Sequence, residues 1–256
     1  MMAAFIFRQA LSDFVRFRRV VVWALVALAL GGIAQIFILV TEGGPSRQDL
    51  YSLMSSIITF RLVALAAAIF SMAVVAQEIE QKTIVYLLTR PIPRWMLLTM
   101  RTLAATTVVI LVAWACALST SVGIFGSQPN PQLPRDLVAL AMGAAAYTSL
   151  FVVVSLFINR AMIVCLLFAF GWETLIPNMS GQLYMLSINS YLNALSERPA
   201  IKGTDDLFQA LGGLLGTNTL TTDTAWAVLI AIIAACLGLG ALWFTRNEYI
   251  PREDAE

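Results

Sequence analysis

The chain has 256 residues, 59% of them hydrophobic and 12% charged, with a formal net charge of +1. A soluble domain carries about a quarter charged residues, so this balance, with a mean hydropathy of +0.82, excludes an ordinary soluble fold and points to an integral membrane protein. Near-neutrality leaves no basic block to track nucleic-acid phosphates, and the absence of histidine removes the commonest acid–base group and metal ligand.

In chain order, residues 3–19 read as an amphipathic helix lying in the membrane interface. Phe7, Leu11 and Phe14 repeat at helical spacing, while Gln9, Asp13 and Arg16 mark the opposite face. Apolar stretches near the ~20 residues that a bilayer needs then occur at 20–40, 51–76, 95–122, 137–158, 161–177 and 224–245. The first is too long for the apolar core of a cleavable signal. The expected fold is therefore all-α and polytopic, a single transmembrane domain of six helices with both termini on one side.

The positive-inside rule chooses the side. With cytoplasmic termini, the inner segments hold Arg8, Arg16, Arg18, Arg19, Lys82, Arg90, Arg94, Arg101, Arg160, Arg246 and Arg252, and the outer ones hold Arg47, Arg135, Arg198 and Lys202. The excess predicts termini in the cytoplasm. Asn159 and Arg160 alone separate the fourth and fifth spans, which predicts a tight antiparallel hairpin. Loops 41–50 and 123–136 are short connectors. The segment 178–222 is closely spaced in Leu, Ile, Met and Tyr, and predicts one or two short helices dipping into the outer leaflet or capping the outer mouth. Its Gly212-x-x-x-Gly216 lies in a loop rather than mid-span.

The one long charged segment between apolar spans is 77–94. Ile79, Ile84, Val85, Leu87 and Leu88 suit a short amphipathic helix. Glu78 and Glu80 at its start and Arg90 at its end complement the helix dipole, and Pro91 stops it by pushing the preceding residue out of the α region. Such a helix at the membrane surface is a handle for a cytoplasmic partner.

Two ionisable residues fall inside the spans and are functional candidates on that ground. Arg61 stands roughly 22 Å from a cytoplasmic end expected at Ala76, and Glu173 roughly 18 Å from one at Ala161. These depths suggest an ion pair tying the second span to the fifth, or bridging two subunits, in one conformational state, where it would either fix helix packing or act as a gate or substrate contact.

The sequence carries no phosphate-binding loop, no nucleophile elbow and no H-E-x-x-H. Glu78 and Glu80, two apart, diverge on a helix and make a poor acid–base pair. Cys116, Cys165 and Cys236 lie in apolar stretches without C-x-x-C spacing and read as small buried hydrophobes. The chain is expected to be moved by a partner and to do no covalent chemistry.

Glu78-Ile-Glu80-Gln-Lys82-Thr83, then Leu87-Leu88, then Arg90-Pro91-Ile-Pro93-Arg94, resembles the E-x-E-x-G-T…LL…P-x-x-R signature of ABC-2 type transporter permeases. Lys82 stands where that family often has Gly. The order of parts is similar over nearly the whole chain. Trp172-Glu173 through Ser187-Ile-Asn and Tyr191-Leu192 is similar to a pattern in the branch that includes the nitrous-oxide-reductase maturation permease.

The resemblance implies a bacterial inner-membrane permease, as a homodimer or paired with a related permease. It would carry two cytoplasmic ATP-binding-cassette ATPase subunits, which hold ATP and Mg, while the chain itself holds no cofactor. Glu78, Glu80, Lys82, Thr83, Leu87, Leu88, Pro91 and Arg94 would then contact the ATPase. The alternative is a membrane anchoring or assembly protein that recruits a cytoplasmic factor without transport. Third comes an ion-coupled transporter, which ordinarily needs more midplane polar groups and internal repeats.

Overall fold

A computed structural model describes residues 2–40, 46–74, 93–158, 160–176, 185–197 and 220–246. The described elements are all helical. They are α1 (Met2–Phe14), α2 (Phe17–Val40), α3 (Arg47–Met54), α4 (Phe60–Met72), α5 (Arg94–Phe125), α6 (Leu133–Phe157), α7 (Ala161–Leu167), α8 (Glu173–Leu175), α9 (Ile188–Leu195) and α10 (Thr222–Arg246). Two π-helical turns, Ser55–Thr59 and Phe168–Trp172, join α3 to α4 and α7 to α8 as continuous rods.

Of the six expected spans, four coincide with helices long and apolar enough to cross a bilayer: Arg18–Val40, Trp95–Phe125, Leu133–Phe157 and Thr222–Arg246. The other two, Phe60–Met72 and Ala161–Leu175, are shorter apolar helices.

Local sequence sets the ends. Pro93, extended at ψ 129, occupies the N-cap of α5, and Pro134 sits in the first turn of α6, where a missing N–H costs nothing. Gly126 closes α5 at φ 63, a conformation that glycine adopts most readily, and donates its N–H to the Val122 carbonyl at 2.9 Å. Ser46 caps α3 by accepting from Asp49 N–H.

The core is built on α4, α5 and α6. Phe60, Val63, Ala64, Ala66, Ala67, Ala68 and Phe70 of α4 are all buried, against Ala104, Ala105, Ala139, Leu140, Ala144 and Tyr147. The many alanines let these backbones approach closely, which matters where lipid offers no hydrophobic drive between helices. α2 crosses α5 on the same principle: a Cβ added at Gly123 would lie 2.5 Å from the Gly31 carbonyl oxygen, and one at Gly31 would lie 2.5 Å from Ser119 Oγ. The rest of α2 exposes Val22, Leu25, Leu28, Ile36 and Leu39.

α1 packs on the bundle through Ile6, Ala10 and Phe14, flanked by Phe7 and Leu11. The buried stripe thus lies one residue round from the face expected, because Ile6 and Ala10 complete the i, i+4 row ending at Phe14. Phe14 meets Phe70 edge-on at 6.3 Å, and Trp23 stacks on the same ring.

Two hydrogen bonds fix the register of the α3–α4 rod against α6. Ser55 Oγ donates to Asp136 Oδ2 at 3.2 Å, and Ser71 Oγ donates to the Thr148 carbonyl at 3.2 Å. The two rods therefore run parallel, with α6 serving as a ruler for depth.

Candidate functional site

One π turn ends at Thr59, two residues before Arg61, and the other at Trp172, directly before Glu173; these are the two ionisable residues singled out in the spans. Arg61 is the second residue of α4, and Glu173 is the first of α8. Such turns insert an extra residue into a helix and recur at functional sites.

Glu173 is 3% exposed. Its Oε2 accepts from Ser187 Oγ at 2.5 Å and from Asn189 N–H at 3.0 Å, and its Oε1 accepts from Ile188 N–H at 3.0 Å. Buried Tyr147, on α6, is an electrostatic neighbour of the same carboxylate. Ser187 meanwhile caps α9 by accepting from Ser190 N–H. A carboxylate from another part of the chain thus occupies the N-terminus of α9, where unpaired N–H groups and the helix dipole favour negative charge. Trp172, next to Glu173, donates its indole N–H to the Leu186 carbonyl at 3.3 Å.

α9 is secured along its length. Ile188, Tyr191, Leu192 and Leu195 form its buried face, and Leu192 fills the notch left by Gly143 on α6, where an added Cβ would meet Leu192 Cδ1 at 2.6 Å. At its other end, Gln132 Nε2 donates to the Ser196 carbonyl at 2.6 Å. Gln132 is itself held by Asn130, which bonds Ser121. Glu197 follows at φ 45 and pairs with Arg135 at 2.8 Å on the surface. α9 therefore lies along one half of α6, its start level with Tyr147 and its end at the α5–α6 turn.

Within this chain, Arg61 and Glu173 do not form an ion pair with each other in the structure. Measured on α6, Arg61 falls between the Ser55–Asp136 and Ser71–Thr148 levels, roughly 9 Å along the axis from Tyr147. α4 ends at Met72, and the expected end at Ala76 lies outside the described residues. The oxygens of Glu173 are engaged by α9, and the Nε of Arg61 is buried with no hydrogen-bond partner among the described residues.

Glu78, Glu80, Lys82, Thr83, Leu87, Leu88 and Pro91 lie outside the described residues, and Arg94 is the first residue of α5. Also outside them lie Gly212 and Gly216. Within 178–222, the described residues include one short α-helix, α9.

Sequence reasoning missed Asp136, Tyr147, Gln132 and Gly143, and it named Ser187 only within a resemblance, without a role. Asp136 is fully buried; with Pro134 read as a helix-start signal, it falls in the first turn of α6. Ser187 ahead of Ile188 is an N-cap signal of the same kind. Nothing local marks Tyr147, Gln132 or Gly143, whose roles depend on α9.

Residues 4–249 match the family model described as ABC-2 family transporter protein. The chain belongs to the ABC-2 transporter family. No curated protein matches it. As an ABC-2 permease with several helices able to cross a bilayer, it is a multi-pass membrane protein and the membrane component of an ABC exporter.

Proposed function

We propose that this ABC-2 permease is driven by a separate cytoplasmic ATP-binding-cassette ATPase through the coupling segment 77–94. In the working complex two copies, or this chain and a related permease, bind two ATPase subunits, with six spans per chain and both termini in the cytoplasm of a bacterial inner-membrane system. The family match over residues 4–249 carries the reading. A chain without a phosphate-binding loop needs its ATP site elsewhere. Acidic Glu78 and Glu80 and basic Lys82 and Arg94 provide a charged surface for the ATPase, and Thr83, Leu87, Leu88 and Pro91 shape the helix that carries it.

Closure of the ATPases on ATP draws the coupling segments together and biases the second and fifth spans. That bias requires only that the ATPase dimer prefer one permease state. Both rods contain a π turn, the place where a packed helix yields with least disruption.

The test is a mild-detergent pull-down of tagged chain from its native membrane, with ATPase activity assayed in the eluate beside a Glu78→Lys/Glu80→Lys variant. Co-elution of an ATP-hydrolysing phosphate-loop protein, lost in the variant, supports the coupling reading. Recovery of the chain alone, or with a partner that hydrolyses no ATP, overturns it in favour of an anchoring role.

A further inference from the structure

We infer that α9 is a loaded lid: a short helix held in its docked position by Glu173 while carrying two buried polar groups that undocking would hydrate.

The holding side is Glu173, which accepts from Ser187 Oγ, Ile188 N–H and Asn189 N–H, together with the Leu192–Gly143 fit. The opposing side is Asn189 and Asn193. The Oδ1 atoms of both are buried and accept no hydrogen bond among the described residues. They stand four apart on α9, hence on one face, and that face is a flank of the helix, away from the centre of the docked surface formed by Ile188, Tyr191, Leu192 and Leu195.

Buried acceptors without partners are uncommon in native folds, and two successive turns of an eight-residue helix carry one each. The penalty is the desolvation of each carboxamide oxygen, which water would relieve. Undocking α9 hydrates both oxygens and strips Glu173 of its donors, so the two sets of groups act in opposite directions on one element. Such opposition makes a bistable element, with strain stored where the structure moves. Asn189 serves both sides, since its N–H helps to hold the latch while its side chain opposes it.

The lid's purpose rests on the permease reading, but its docking balance does not, and the experiment addresses docking alone, with neither ATPase nor cargo present. The full chain, with Cys116, Cys165 and Cys236 changed to Ala, carries Leu195→Cys on the docked face as reporter. The readout is the rate of labelling by a charged maleimide in detergent.

Asn189→Leu/Asn193→Leu, close in shape but without the oxygens, should slow labelling by about tenfold or more, as removal of two stranded acceptors implies. Ser187→Ala, which deletes one donor to Glu173, should speed it. Combining the two changes should bring the rate back toward the parent's. Asn189→Ala/Asn193→Ala provides a second test should leucine be rejected, and it should also slow labelling. Labelling at the parent rate or faster in both asparagine double variants overturns the inference. So does a reporter that stays unlabelled in every variant.

Discussion

Leu192 on α9 rests in the space where Gly143 on α6 lacks a side chain, so close that a Cβ there would lie 2.6 Å from Leu192 Cδ1. The atom in the way is the tip of a flexible side chain. Gly143→Ala should therefore be absorbed at a cost of about 1–3 kcal/mol, whereas Gly143→Leu should expel α9. Thermal unfolding in detergent should show Leu192→Ala partly rescuing Gly143→Leu. If the two substitutions were simply additive, the contact would not be what positions α9.

Glu173→Gln keeps the shape but retains one acceptor oxygen, so its NH2 group faces either the Ile188 N–H or the Asn189 N–H and Ser187 hydroxyl. It should destabilise the protein by about 1–3 kcal/mol. Glu173→Leu, which strands every donor, should cost more. A glutamine variant melting with the parent would mean that the carboxylate does not hold α9.

The crossing of α2 and α5 gives a matched pair of glycines. A Cβ at Gly123 meets the Gly31 carbonyl oxygen at 2.5 Å, while Gly32 has nothing within 4 Å. A backbone atom cannot swing aside, so Gly123→Ala should force the helices apart and lower the melting temperature. Gly32→Ala should be neutral, or stabilising by about 0.5–1 kcal/mol through helix propensity. Equal melting of the two variants would rule out this crossing.

At the far end of α9, the pair Arg135–Glu197 is half exposed, and Arg135→Ala should cost under about 1 kcal/mol, the usual value of a surface ion pair. Gln132 is buried and bonds the Ser196 carbonyl at 2.6 Å. Gln132→Leu should cost more than Arg135→Ala, since it leaves a buried acceptor without its donor. The reverse order in melting would make the surface pair the anchor of this end.

Much of the fold was legible in the residues. Apolar runs of bilayer length predicted α2, α5, α6 and α10 to within a few residues, because every backbone polar group in such a stretch must be satisfied within its own helix. In the region of the second expected span, 51–76, the helical rod runs from Arg47 to Met72. Ser46, an N-cap, and the polar first turn Arg47-Gln-Asp49 start the rod before the apolar run that hydropathy detects. Hydropathy also cannot register the π turns, since one inserted residue changes the phase of a helix without changing its composition.

Arg61 and Glu173 stood out by themselves, as charges inside apolar stretches. Their mutual placement did not, because depth counted from an assumed helix end carries the error of that end, and the hydrogen bonds to Asp136 and Thr148 set the register instead.

The sequence by itself determined that this is a membrane-embedded helical protein, where its apolar helices lie, and, through 77–94, the family it resembles. Composition and spacing carry that information because bilayer thickness and helix rise are fixed lengths. Only the tertiary structure decided that Glu173 pairs with the start of α9 rather than with Arg61, and that Gly143 receives Leu192. Both contacts join residues remote in the chain across separate helices, and no local pattern encodes the register at which two packed helices meet.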